Sequence, residues 1–189
     1  ESPFVFDVTA LLRPRAKNRL AVRVLNPTHE PVDGIVLNET PHRNKALPYT
    51  AGSAWNQGGI WDSVEVLTVP AVYIEDLFVR PDWKTGVIRV QLNVRNAGAE
   101  ACQGTLQLTV APAAAGETLT TRVLSPELKP GDTGVDTTLT VPHPRLWELE
   151  DPFLYRVTAR VGAGSPQEAT ALGGVHEYSV RCGFRDFRL

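Results

Sequence analysis

Apolar residues recur at every second position along much of this chain. Ile88, Val90, Leu92 and Val94 alternate with Arg89, Gln91, Asn93 and Arg95. Leu106, Leu108 and Val110 repeat the pattern, as do Tyr155, Val157, Ala159 and Val161, and then Tyr178, Val180, Cys182 and Phe184. A period of two puts successive side chains on opposite faces, so each run predicts a strand with one buried and one wet face. Further strands are expected at 4–8, 20–26, 32–38 and 63–69. Turn chemistry separates the runs: Asn26-Pro27, Asp33-Gly34, Pro81-Asp82 with Gly86 after it, Asn96 to Gly98, Pro130-Gly131-Asp132 and 162–164. No segment has the 3.6-residue period of an amphipathic helix. The expected fold class is therefore all-β, built of antiparallel β-sandwiches.

The chain has 189 residues, enough for one large or two small domains at roughly 100–200 residues each. A boundary is expected near Pro70, where the run 64–69 ends and a new strand starts at Val72. Residues 71–189 suit a sandwich of the immunoglobulin type, typically ~100 residues long. Residues 1–70 hold fewer strands and an irregular stretch at 39–60, longer than the ~12–15 residues usual for a loop without structure of its own.

A net charge of -2 gives no basic excess, so neither nucleic acid nor a membrane surface is an expected partner. No run nears the ~20 apolar residues of a membrane span. The absence of any Met marks residue 1 as something other than a natural start, so the missing leader leaves the compartment open. His29, His42, His143 and His176 are scattered and Cys102 and Cys182 stand far apart, which supports no four-ligand metal site. The two cysteines are too few for a disulfide framework; they read as small buried hydrophobes on strands, although pairing stays open.

Several motifs then fall in a consistent order. Phe4-Val5-Phe6-Asp7-Val8-Thr9, Leu11-Leu12 and Asn18-Arg19-Leu20-Ala21-Val22-Arg23-Val24 resemble a stretch from the second half of the N-terminal jelly roll, or sugar-binding domain, of glycoside hydrolase family 2. Pro41-His42 and Gly58-Gly59-Ile60-Trp61-Asp62-Ser63-Val64 resemble the segment that closes that domain. His143-Pro144-Arg145-Leu146-Trp147, Asp151-Pro152-Phe153-Leu154-Tyr155 and Cys182-Gly183-Phe184-Arg185 resemble the family's immunoglobulin-like domain up to its end. The resemblance implies a partial jelly roll over 1–70 followed by an immunoglobulin-like sandwich over 71–189. It also implies a parent enzyme that is a retaining β-glycosidase of the β-galactosidase, β-glucuronidase or β-mannosidase type. The parent's substrate partner would be a carbohydrate, and its catalytic barrel would lie C-terminal to Leu189.

Retaining hydrolysis needs two carboxylates about 5–5.5 Å apart. In the family both lie on the barrel, so no catalytic residue is expected here and the chain alone is expected to be inactive. Glu75 and Asp76, adjacent on a strand, should face opposite ways. Glu148, Glu150 and Asp151 read as a solvated acidic loop, in which Glu148 and Glu150 would share a face if the segment were extended. No cofactor is expected. Gly52, Ser53 and Ala54 stand where some galactosidases of the family place a metal-binding carboxylate before the tryptophan, and no metal is expected either.

Sugar contact is expected from Trp55, Asn56 and Gln57, in an aromatic and amide-rich stretch that also holds Tyr49 and Trp61. By resemblance, loops of the jelly roll reach toward the barrel mouth. An incomplete jelly roll would leave strand edges open, so the isolated chain is expected either to fold poorly before about residue 60 or to self-associate through that half. The expected role is a non-catalytic fragment that supports the barrel and lends a substrate loop. The alternatives are a stand-alone carbohydrate-binding module and a structural immunoglobulin-like protein. With 7% aromatic residues, mostly in strand patterns, the chain offers little for the self-sufficient platform that a binding module needs.

Overall fold

In the computed structural model, residues 4–24, 60, 62–164 and 174–186 are described. The chain divides into two units, Glu1–Val66 and Leu67–Leu189.

Among the described residues, eight strands build the second unit: β1 (Val72–Asp82), β2 (Val87–Asn96), β3 (Cys102–Pro112), β4 (Thr120–Leu124), β5 (Glu127–Leu128), β6 (Gly131–Thr140), β7 (Tyr155–Ala163) and β8 (His176–Cys182). One sheet has the order β1-β2-β6 and the other β4-β3-β7-β8, with β5 pairing to β3. Every ladder is antiparallel. The inward rows of the two sheets meet in one core that includes Ile88, Val90, Val94, Leu106, Leu108, Val110, Val157, Val161 and Phe184, all 0–1% exposed. These are the residues that the period of two places on one face. Pro81 lies on β1, an edge strand, where its missing N–H costs no inner ladder bond.

Two local departures occur. A β-bulge between Ile74 and Asp76 gives β1 an extra residue, so Glu75 and Asp76 are both exposed instead of facing opposite ways. Tyr178 is 39% exposed although Ala159, its register partner on β7, is buried; it lies on β8, the edge strand of its sheet.

Side chains close the seams between the sheets. The Thr138 carbonyl of edge strand β6 accepts from Arg122 Nη1 at 3.2 Å, and the Thr140 carbonyl accepts from the Thr120 hydroxyl, both donors lying on edge strand β4. On the other side, the Ile74 amide of β1 donates to His176 Nδ1 of β8 at 3.1 Å, with the Tyr73 ring edge-on to the imidazole. These contacts satisfy backbone groups that no ladder reaches.

The His176 seam is pH-dependent. Burial holds the imidazole pKa below its ordinary 6.5. The unfolded chain therefore binds the proton first as pH falls, so this stabilisation is complete above the ordinary value and is lost as pH drops through the lower folded one. The thermal midpoint should fall as pH drops below the ordinary 6.5, and His176→Asn, whose Oδ1 can accept the same N–H, should flatten that fall. Thermal melts across the range check this.

The cysteines do not pair with each other. Cys182 lies opposite Tyr155 on β7, whereas Gly104, two residues beyond Cys102 on β3, lies opposite Ala163. At ~3.3 Å per residue the two cysteines are roughly 30 Å apart along the sheet, far beyond disulfide reach. Both are free thiols, and burial pushes Cys182 up to about 11.

The described residues of the first unit contain one short 3₁₀ turn, Thr9–Leu11, and no strand. The strands expected at 4–8, and over the described parts of 20–26 and 63–69, are not formed, and 32–38 lies outside the described residues. Alternation chooses which face a strand would bury but supplies no partner, and an unpaired strand leaves its backbone groups without a ladder. Accordingly Val5, Phe6, Leu20 and Val66 are 89, 75, 70 and 77% exposed. The polar residues of the first motif organise turns. Asp7 Oδ1 accepts from the Thr9 amide at 2.9 Å. The Asn18 side chain accepts from the Arg13 amide and donates back to the Arg13 and Ala16 carbonyls.

Candidate functional site

Two motifs some thirty residues apart in sequence converge on one corner of the second unit. The connection from β6 to β7 carries Arg145, Leu146 and Trp147. Leu146 bridges Phe184 in parallel, and the Trp147 amide donates to the Phe184 carbonyl at 2.8 Å. Trp147 also bridges Pro152, closing a tight turn in which the Asp151 carbonyl accepts from the Glu148 and Phe153 amides.

Under this turn the rings of Phe153, Tyr155 and Phe184 stack edge to face, with centroids 5.0 and 5.2 Å apart. The buried Tyr155 hydroxyl accepts from the Arg145 amide at 2.8 Å, which answers the need of a buried phenol for a polar partner. Gly183 is closely approached: a Cβ there would stand 3.1 Å from Trp147 Cβ and 3.3 Å from Leu154 Cδ2, a tight fit.

Two arginines cover the aromatic surface. Arg145 grips Asp151 with both forks, Nε to Oδ2 and Nη2 to Oδ1, each at 2.7 Å, and its guanidinium lies 4.5 Å from the Phe153 ring centre. Arg185 lies 4.5 Å over the Trp147 ring. Trp147, Leu154, Gly183 and Arg185 line a shallow depression of about 170 Å³.

This corner has little capacity for acid–base chemistry. Asp151 is engaged by Arg145, and Glu148 and Glu150 are exposed at a turn, not aligned on one face of an extended segment. Among the described residues no carboxylate lines the depression. An arginine stacked on a part-buried tryptophan is instead the residue pair that protein interfaces favour. Among the described residues no group of three or more His, Cys, Asp or Glu side chains could hold a metal ion.

Trp55, Asn56 and Gln57 lie outside the described residues, as does Trp61. Trp83 is half-buried and packs against the core, with Lys84 5.5 Å from its ring centre. Sequence reading did not find the Tyr155–Arg145 bond or the Arg145–Asp151 clasp. An arginine and an aspartate six residues apart flanking Trp147 are the only local sign of the second, and nothing local signals the first.

Comparison with known proteins agrees with these motifs. The family described as glycosyl hydrolases family 2 matches residues 72–185. A beta-galactosidase of Enterobacter cloacae is 32% identical over 168 residues, covering 82% of this chain and 14% of that protein. A beta-galactosidase of Halalkalibacterium halodurans is 24% identical over 139 residues, covering 71% and 12%. The chain thus spans less than a sixth of the length of either curated relative. A calcium-binding mutant of Bacteroides uniformis beta-glucuronidase 2 shares the fold at a TM-score of 0.55 and 23% identity, over 64% of this chain and 15% of that one.

Proposed function

This chain belongs to glycosyl hydrolases family 2, and from that premise we propose that it is a non-catalytic part of a larger retaining β-glycosidase, supporting the catalytic barrel. On this reading residues 1–70 are the end of a jelly-roll sugar-binding domain and 71–189 an immunoglobulin-like sandwich. The observation that carries it is the Trp147 corner. It gathers the motif residues into an Arg185–Trp147 surface suited to a partner domain, while its carboxylates are either ion-paired or solvated. Trp55, Asn56 and Gln57 are proposed to face the sugar from the jelly-roll side. The exposed Phe4, Phe6, Leu20 and Val22 support self-association of the first unit when it is isolated.

The test is hydrolysis of a panel of aryl β-glycosides by the 189-residue chain beside the same chain extended past Leu189. Activity is expected only from the extended form, and the panel then names the sugar. Turnover by the 189 residues alone, abolished on changing Glu148, Glu150 or Asp151, would overturn the reading.

A further inference from the structure

The outer face of the β1-β2-β6 sheet carries a groove of about 420 Å³ whose charges the fold leaves unbalanced. Arg80 on β1 lies directly opposite Arg89 on β2, and Arg89 opposite Thr138 on β6. Residues so placed have Cβ atoms ~4.5–5.5 Å apart, and like charges there repel. Among the described residues neither arginine has an ion-pair partner.

Elsewhere on β2 the fold treats an outward arginine differently: Arg95 lies 3.1 Å from Asp132 and 3.8 Å from Glu75. The one carboxylate that lines the groove among the described residues, Asp136, accepts from the Gln91 side-chain amide at 2.9 Å. Phe78 lies opposite Gln91, one row from Arg80 and Arg89 on the same face, and is 55% exposed.

Guanidinium forks match the paired oxygens of a carboxylate or sulfate. A flat exposed ring beside them suits the apolar face of a sugar, and the Gln91 amide and Thr138 hydroxyl can serve sugar hydroxyls. The groove lies within the size range of small-molecule sites, ~300–1,000 Å³. We propose that this face binds an acidic carbohydrate, with Arg80 and Arg89 holding its sulfate or carboxylate and Phe78 its ring. The anion half of the assignment stands on the arginines alone. The carbohydrate half rests on the family reading, which the glycoside panel tests separately.

The probes are a chondroitin sulfate tetrasaccharide, neutral cellotetraose, inorganic sulfate and a poly-glutamate peptide, each titrated by calorimetry into the 189-residue chain at low salt. The sulfated tetrasaccharide should bind and cellotetraose should not. The Arg80→Gln/Arg89→Gln double variant should weaken binding by about tenfold or more, and Phe78→Ala by about fivefold. Both variants change outward side chains, and the double variant removes a repulsion, so its thermal midpoint should hold or rise. That keeps loss of binding separate from loss of fold. No binding of the tetrasaccharide overturns the proposal. Inorganic sulfate competing as well per sulfate reduces the site to an adventitious ion only. Poly-glutamate binding with the same arginine dependence, and no loss in Phe78→Ala, reassigns the face to an acidic protein segment.

Discussion

Asn96→Asp should lower the stability of the second unit by about 3 kcal/mol or more, on the order of 10 °C in thermal midpoint. Asn96 is 4% exposed and is the buried polar side chain at the core's edge. Its Nδ2 donates to the Glu100 carbonyl at 2.9 Å and the Leu128 carbonyl at 3.0 Å, and its Oδ1 accepts from the Gly98 amide at 2.9 Å. One amide thus shapes the turn between β2 and β3 and ties the first sheet to β5 of the second. Aspartate keeps the acceptor but replaces the two-donor Nδ2 with one carboxylate oxygen that faces both carbonyls, in a site too dry to solvate the charge. The sign with pH follows. Burial and the carbonyls raise the pKa of such an aspartate, so the loss should be largest at neutral pH. It should shrink as pH falls through the raised pKa, because the protonated acid can again donate once. Asn96→Ala, which strands the two carbonyls without adding charge, should cost about 2 kcal/mol and show no such recovery. Urea denaturation at two pH values separates the cases.

Gly86→Ala should cost more than any other single methyl on the turns of this unit, about 3 kcal/mol or more. Two causes add. Gly86 has φ +70°, a left-handed conformation that a side chain strains by about 1–2 kcal/mol. A Cβ there would also stand 2.3 Å from the Val141 carbonyl oxygen. That oxygen cannot move away cheaply, because the neighbouring Val141 amide donates to the Gly86 carbonyl at 2.9 Å while the Gly86 amide donates to Asp82. Gly131→Ala is the control. Its φ is +89° but a Cβ meets nothing within 4 Å, so only the conformational strain of about 1–2 kcal/mol is expected. Equal losses at the two glycines would show that the clash with Val141 does not count.

Both sites were visible in the sequence as turns, but not as determinants of stability. Asn96 to Gly98 reads as turn chemistry, since asparagine side chains mimic a backbone turn. That its amide also reaches Leu128, thirty-two residues away, depends on how β5 folds back onto β3. Gly86 after Pro81-Asp82 likewise marks a turn. The Asp82 carboxylate there accepts from the Lys84 amide, which holds its pKa below the ordinary value with help from the Thr85 hydroxyl. Only the docking of Val141 against that turn makes a methyl intolerable.

The inward rows of β2, β3 and β7 were determined by the sequence alone. Side-chain direction in a strand depends on the backbone's own period, so every second apolar residue declares its face without knowledge of the partner. The family and its motif residues were legible for the same reason: a motif is local. Tertiary structure decided whatever depends on which segment lies beside which. It placed the bulge at Glu75, set Cys102 and Cys182 at distant points of one sheet, and brought Trp147 onto Gly183 and Phe184. It also set Arg80 against Arg89, which the sequence separates by a turn and the register joins. In the first unit the alternation is equally clear but the described residues form no strand, because a strand takes its backbone hydrogen bonds from a neighbour and no local pattern can provide one.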